Sequence, residues 1–221
     1  MLDSSRPGCE ETTDFMKTFL QSCVVGLIIV ASHGMAASAA TLDVQVADAA
    51  GKPLQDAAVY AVPLQSPAVA GTRDAEIEQK SRKFMPVMSV VQTGTRISFP
   101  NNDTVRHHVY SFSPTKPFEL KLYSGTPGTP ILFDKPGTVI IGCNIHDQMV
   151  AYIQVVDTPH YGKSDQSGKV RIAGLAPGKY KLKAWHYRLA ANAVATETEI
   201  TIAKTDMATD MVVGVNPAIS L

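Results

Sequence analysis

An excess of charge of one sign is what this sequence most clearly lacks. Its 20 Lys and Arg side chains balance 20 Asp and Glu side chains, so the formal net charge is zero. It has no basic tract and no basic segment interleaved with aromatic residues. Because nucleic-acid binding needs a concentrated positive surface, we expect no nucleic-acid partner. The sequence also offers no acid–base pair and no nucleophile beside a base, so we do not expect an enzyme.

Long hydrophobic runs are missing as well. The most apolar stretch, residues 24–31, is too short to span a bilayer comfortably. It follows a lysine-containing start and precedes the small residues 37–39, which is the pattern of a signal peptide with its cleavage site. We expect 1–39 to be a signal peptide, with 1–15 as an extension before the true start, and the mature protein to be periplasmic without membrane contact. An uncleaved membrane anchor is the alternative.

Cysteine is scarce. The chain has three, and Cys9 and Cys23 lie in the segment expected to be removed, which leaves Cys143 alone. A lone thiol in an oxidising compartment is a liability unless it is buried, reactive or bound to a metal. Cys143 is therefore either a small buried hydrophobe or a functional thiol.

The neighbours of Cys143 favour a metal ligand. His146 follows three positions later and Met149 three positions after that, so one loop carries a thiolate, an imidazole and a thioether. A second imidazole is available upstream, at His107 or His108. Two imidazoles and one thiolate with a weak thioether are the ligands of blue copper sites, although zinc or silver can bind the same set.

Three motifs stand in order along the chain: Asn101-Asn102-Asp103-x-x-x-His107, then Phe133-x-x-x-Gly137, then Cys143-x-x-His146-x-x-Met149. Together they resemble the cupredoxins, the plastocyanin-like blue copper proteins, and in particular their short-loop amicyanin type. The resemblance implies copper as cofactor, with its ligands at His107, Cys143, His146 and Met149. His107 is preferred to His108 because the family's ligand comes six residues after the first asparagine of the motif.

The chain departs from the family pattern at two places. His108 stands where the family usually has an asparagine that holds the ligand loop and tunes the sulfur. Ile145 and Asp147 flank His146 where amicyanin-like loops have prolines. Because successive residues of a strand face opposite sides, we expect His108 to point away from the site if His107 points toward it.

Strand-like alternation runs along most of the chain. Leu42, Val44 and Val46 alternate with polar or small residues, and clusters of Pro and Gly separate the later strands. Only the short charged segment 73–83 favours a helix. The sequence therefore predicts an all-β protein built from sandwiches.

A second resemblance divides the chain. Segment 164–185 resembles the second half of a transthyretin-like, or carboxypeptidase regulatory-like, β-sandwich, and segment 46–59 resembles its first half. We expect this sandwich to comprise 40–72 and 158–221, with a cupredoxin Greek-key β-sandwich at 84–157 inserted into it or packed beside it. The arrangement resembles periplasmic proteins labelled as methylamine utilisation proteins.

The resemblances imply a periplasmic carrier that passes single electrons between redox protein partners. Copper delivery or buffering, with a copper-handling partner, would use the same ligands and stays open. A third alternative is a module that recognises carbohydrate or protein and keeps a vestigial cupredoxin site. Intact donors at all four ligand positions disfavour this third alternative.

Overall fold

The computed structural model describes residues 39–66, 71–190 and 193–218, and these form strands and turns without a helix. The strands are β1 (Ala40–Asp48), β2 (Ala58–Pro63), β3 (Arg73–Glu76), β4 (Glu78–Lys80), β5 (Lys83–Met85), β6 (Met88–Gln92), β7 (Thr95–Ser98), β8 (His107–Ser111), β9 (Phe118–Tyr123), β10 (Ile131–Phe133), β11 (Gly137–Gly142), β12 (Val150–Val156), β13 (Tyr161–Lys163), β14 (Lys169–Leu175), β15 (Gly178–Trp185), β16 (Thr196–Ile202) and β17 (Met207–Val213). The prediction of an all-β protein is confirmed for this part of the chain. The predicted signal peptide lies outside the described residues, apart from its last position. No described segment is a helix long and apolar enough to cross a membrane.

Two sheets enclose a first core. One has the strand order β14-β1-β17 and the other the order β13-β2-β15-β16. From β1, the alternate residues Leu42, Val44 and Val46 point into this core and are at most 2 % exposed. Strand β15 contributes Leu182 and Ala184. The two-residue period of a strand places these side chains on one face, which is why the apolar pattern can be read in the sequence.

Two further sheets enclose a second core. Their strand orders are β10-β7-β3 and β6-β12-β11-β8-β9. Large apolar side chains fill this core, among them Phe84, Phe99, Phe133, Ile141 and Ile153. Each such buried side chain contributes about 1.5–3 kcal/mol. The loops at the ends of these strands are therefore anchored to two sheets that pack closely around the second core.

The chain contributes to the first core at both its ends. Strands β1 and β2 lie in the sheets of the first core, β3 and β6 to β12 in those of the second, and β13 to β17 again in those of the first. Strands β4 and β5 pair with each other. Lys163 on β13 joins the two parts, because its ammonium group donates to the Met88 carbonyl at 3.1 Å and pairs with the Asp56 carboxylate at 2.8 Å. The domain boundaries given above stay a prediction.

The prediction of a helix at 73–83 is wrong. This segment forms β3, β4 and the start of β5. Strand β3 pairs in parallel with β7, and β4 pairs with β5, so other strands supply the backbone hydrogen bonds that a helix would have made internally. Ile77 and Gln79 are buried, whereas Glu76 and Lys80 are exposed. The segment therefore has the two-residue period of a strand, which its high charge conceals.

Two glycines with positive φ allow a test of how closely the residue before β14 packs against β1. Gly168 (φ +76°) and Gly174 (φ +79°) have nearly the same backbone conformation, but a Cβ on Gly168 would clash with the Val46 carbonyl oxygen, whereas a Cβ on Gly174 would meet nothing within 4 Å. We expect Gly174→Ala to lower the free energy of unfolding by about 1–2 kcal/mol, the cost of a left-handed conformation. Gly168→Ala should cost clearly more, as measured by urea denaturation. Equal losses in the two variants would contradict this packing.

Candidate metal centre

The ends of two neighbouring strands carry the candidate ligands. His107 is the first residue of β8 and Cys143 directly follows β11, and the two strands pair through Tyr110 and Gly142. In an antiparallel pair the start of one strand lies beside the end of the other. His107 is fully buried, and Cys143 is 3 % exposed and makes no disulfide.

Three donor atoms converge at this place. The Cys143 sulfur lies 3.9 Å from His107 Nδ1 and 3.8 Å from His146 Nδ1. One donor atom from each of the three side chains lies within 4.8 Å of the others, so the group could hold a metal ion. In the described part of the chain, no other group of three His, Cys, Asp or Glu side chains meets this distance.

The loop between β11 and β12 carries the other predicted ligands. The backbone N–H of Cys143 donates to the Met149 carbonyl at 3.2 Å, and the N–H of Met149 donates to the His146 carbonyl at 2.9 Å. These bonds close the loop on itself. The Met149 side chain is 1 % exposed and packs in the second core together with Cys143. The structure thus brings His107, Cys143 and His146 together, and the role of Met149 as a fourth ligand stays a prediction.

A carboxylate contacts the far side of the His107 ring. Asp103 Oδ2 lies 2.7 Å from His107 Nε2, so the imidazole has Cys143 at one nitrogen and a carboxylate at the other. Burial raises the pKa of Asp103, but hydrogen bonds from the backbone of Arg82, from His107 and from the backbone of Ser81 outweigh it and hold this pKa below its ordinary value. Asp103 is therefore ionised at neutral pH. The sequence places Asp103 in the Asn-Asn-Asp motif but does not indicate its contact with His107.

Asn101 fixes the segment that leads into His107. Its side-chain NH₂ donates to the Val105 carbonyl at 2.9 Å and to the Tyr123 carbonyl at 2.8 Å, and its side-chain oxygen accepts from the Asp103 N–H at 3.0 Å. Tyr123 pairs with His107 across β8 and β9. Burial raises the pKa of Tyr123 to about 12, so its hydroxyl stays protonated and donates to the Phe99 carbonyl. The Asn-Asn-Asp motif thus holds in place the segment that precedes His107.

The other described histidines lie outside the donor group. His108 Nε2 lies 2.9 Å from a carboxylate oxygen of Glu119, as expected if successive strand residues face opposite sides. His186 contacts the Gln55 carbonyl at 3.0 Å. Burial lowers the pKa of both His160 and His186, which favours their neutral forms. None of the three belongs to the group that could hold a metal.

The donor chemistry fits a soft or borderline metal ion. A thiolate is a soft ligand, and imidazole suits copper, zinc, iron and nickel. Proteins select among these metals by the geometry and the ligand type of the site more than by raw affinity. Exposed carboxylates, which calcium and magnesium prefer, do not belong to the group. The site is accordingly suited to a transition metal.

Comparisons with known proteins give structural matches to part of the chain. No family model and no curated protein matches it. A copper-containing nitrite reductase from Thermus scotoductus SA-01 is 23 % identical, with a TM-score of 0.36, over 42 % of this chain and 26 % of the reductase chain. A purple cupredoxin from Nitrosopumilus maritimus is 19 % identical, with a TM-score of 0.33, over 37 % of this chain and 99 % of that chain. A variant of amicyanin is 16 % identical, with a TM-score of 0.35, over 44 % and 98 % of the two chains.

Adjacent histidines allow a direct test of the donor group. Co²⁺ binds nitrogen and sulfur donors as other divalent first-row metals do, and its binding can be followed by visible absorption. We expect His107→Ala to weaken Co²⁺ binding by more than the roughly 10–100-fold typical of losing a residue that only supports a ligand. His108→Ala should leave binding nearly unchanged. With both variants shown to be folded by circular dichroism, a larger loss in His108→Ala would exchange the roles of the two residues.

Proposed function

We propose that the protein binds copper through His107, Cys143, His146 and Met149 and carries single electrons between redox protein partners. The observation that most supports this is the group of one thiol and two imidazoles whose donor atoms lie within 4.8 Å of one another. Thiolate and imidazole in this ratio, with a weak thioether, are the ligands that electron-transfer copper sites use. We assign no catalytic role to the chain.

We also propose an identity for each of the two cores. The second core, whose sheets also include β3 before the predicted bounds 84–157, would be a cupredoxin sandwich, and the first core, at the predicted 40–72 and 158–221, a transthyretin-like sandwich of the methylamine utilisation type. The strand order supports an insertion, because strands on both sides of the second core in the sequence pair within the sheets of the first. A signal peptide at 1–39 would export the chain to the periplasm, where a lone, metal-bound Cys143 is protected from oxidation.

The support of the ligands favours an electron carrier. His107 and Cys143 sit at strand ends, and the hydrogen bond between the Cys143 N–H and the Met149 carbonyl ties both ends of the ligand loop together. Side chains held by packing and by hydrogen bonds keep one geometry. Copper, when bound, would supply the one-electron chemistry. A protein site that does not rearrange keeps the reorganisation energy of each electron transfer small.

His146 is the expected point of contact with a partner. It is half-buried, whereas His107 and Cys143 are buried. Its neighbours Ile145 and Asp147 are exposed, with 52 % of Ile145 accessible. The surface around this ligand therefore combines an apolar contact with one negative charge. A redox partner with a positive charge at its own docking surface would be complementary to it.

Retention of the metal separates a carrier from a delivery protein. We expect the copper-loaded protein to pass through repeated cycles of reduction and oxidation in the presence of a moderate-affinity Cu(I) chelator without losing its metal, because the buried ligands remain in place in both states. Copper content would be measured by atomic absorption after each cycle. The variant Ile145→Ala, altered next to a ligand but outside the donor group, serves as the matched control and should also retain copper.

Rapid transfer of copper to the chelator after reduction would instead identify a copper-delivery protein. Failure to bind copper at all would leave recognition of carbohydrate or protein as the function to pursue.

A further inference from the structure

Two neighbouring histidines each contact a carboxylate, but in different surroundings. His107 Nε2 lies 2.7 Å from Asp103, and the side chains are 0 % and 15 % exposed. His108 Nε2 lies 2.9 Å from Glu119, and the side chains are 11 % and 57 % exposed. Hydrogen bonds to an ionised group are stronger when they are shielded from water. The Asp103–His107 pair is therefore the more strongly constrained of the two.

Asp103 is itself held in place by a turn. Its Oδ1 accepts from the Ser81 N–H at 2.7 Å and its Oδ2 from the Arg82 N–H at 2.8 Å. Ser81 and Arg82 connect β4 to β5, and both have positive φ, at +52° and +56°. This conformation directs two successive N–H groups at one carboxylate. The contacts join a hairpin to a ligand that lies more than twenty residues further along the chain.

Further hydrogen bonds hold the hairpin against the segment before His107. The Gln79 N–H donates to the Pro100 carbonyl at 2.8 Å, and the Asn102 N–H donates to the Gln79 carbonyl at 2.9 Å. The Asn102 side-chain NH₂ donates to Glu78 at 2.8 Å. Asp103 consequently has little freedom to move away from the imidazole.

The carboxylate determines which nitrogen of His107 carries the proton. An ionised carboxylate can only accept hydrogen bonds, so the 2.7 Å contact requires a proton on Nε2. In the neutral imidazole, Nδ1 then keeps a free lone pair, and Nδ1 is the nitrogen that lies 3.9 Å from the Cys143 sulfur. The lone pair is thus directed into the donor group before any metal binds.

We propose that Asp103 is a positioning residue that holds His107 as its Nε2–H tautomer and thereby lowers the reduction potential of the copper site. The second part rests on the proposed function, whereas the first applies to the metal-free protein. A carboxylate that accepts the imidazole N–H makes the ring a stronger donor. A stronger donor stabilises Cu(II) more than Cu(I), so its loss raises the potential.

The metal-free wild-type protein provides the first test. Two-dimensional ¹H–¹⁵N correlation of the imidazole nitrogens should show His107 as a single Nε2–H tautomer. This needs neither copper nor a variant, so it remains informative if the copper proposal fails or if a variant does not fold. Finding His107 with its proton on Nδ1 would overturn the proposal.

The copper-loaded protein provides the second test. Its control is the histidine–carboxylate pair of the neighbouring residue, His108. Asp103→Asn should raise the potential by about 59 mV, which for one electron is a tenfold change in the ratio of Cu(II) to Cu(I) binding. Glu119→Gln removes the carboxylate from His108 and should shift the potential by less than a third of this amount. Equal shifts in the two variants, or no shift in Asp103→Asn, would overturn the role assigned to Asp103.

Discussion

The antiparallel pairing of β8 with β11 is the constraint on which the site depends. His107 and Cys143 are 36 positions apart in the sequence, and only the sheet brings them together. Because Gly142 pairs with Tyr110 in an antiparallel pair, the chain that follows β11 continues toward the His107 end of β8. A shift of this register by one residue would turn the side chains of β8 to the opposite face and place His108 where His107 lies. Close packing of the second core makes such a shift costly.

A second constraint acts on the ligands from outside the sheet. The β4–β5 hairpin reaches the segment before His107 through Asp103, and Asn101 ties the same segment to β9. The imidazole is therefore fixed from two sides, by its own strand and by a carboxylate. Such support would let a candidate site keep a single geometry although one of its donors lies in a strand and the others in a loop.

Much of the fold follows from local pattern, whereas the support of the site does not. The alternation of Leu42, Val44 and Val46 predicts a strand, and the all-β fold is confirmed for the residues that the structure describes. The charged residues of segment 73–83 favour a helix and conceal the two-residue period that buries Ile77 and Gln79. The hydrogen-bond partners of this segment are other strands, among them the distant β7, and a local pattern does not reveal them.

For the candidate ligands, too, local sequence predicts one part of the arrangement and not the other. The spacing of Cys143 and His146 within one loop is visible in the sequence, since they are three positions apart along the chain. That Asp103 contacts His107 and is held by Ser81 and Arg82 is not visible, because these contacts depend on how a hairpin meets a distant loop. Local motifs thus indicate the donors, and tertiary structure determines how they are oriented.

The visible absorption spectrum of the protein titrated with Cu(II) tests the central claim most directly. A copper ion bound to the Cys143 thiolate and to both imidazoles should produce an intense sulfur-to-copper charge-transfer band. This band should bleach on reduction, return on oxidation and be missing from Cys143→Ser. A Cu(II) complex without this band, or with an identical spectrum in Cys143→Ser, would contradict the account, because the metal would then lie elsewhere.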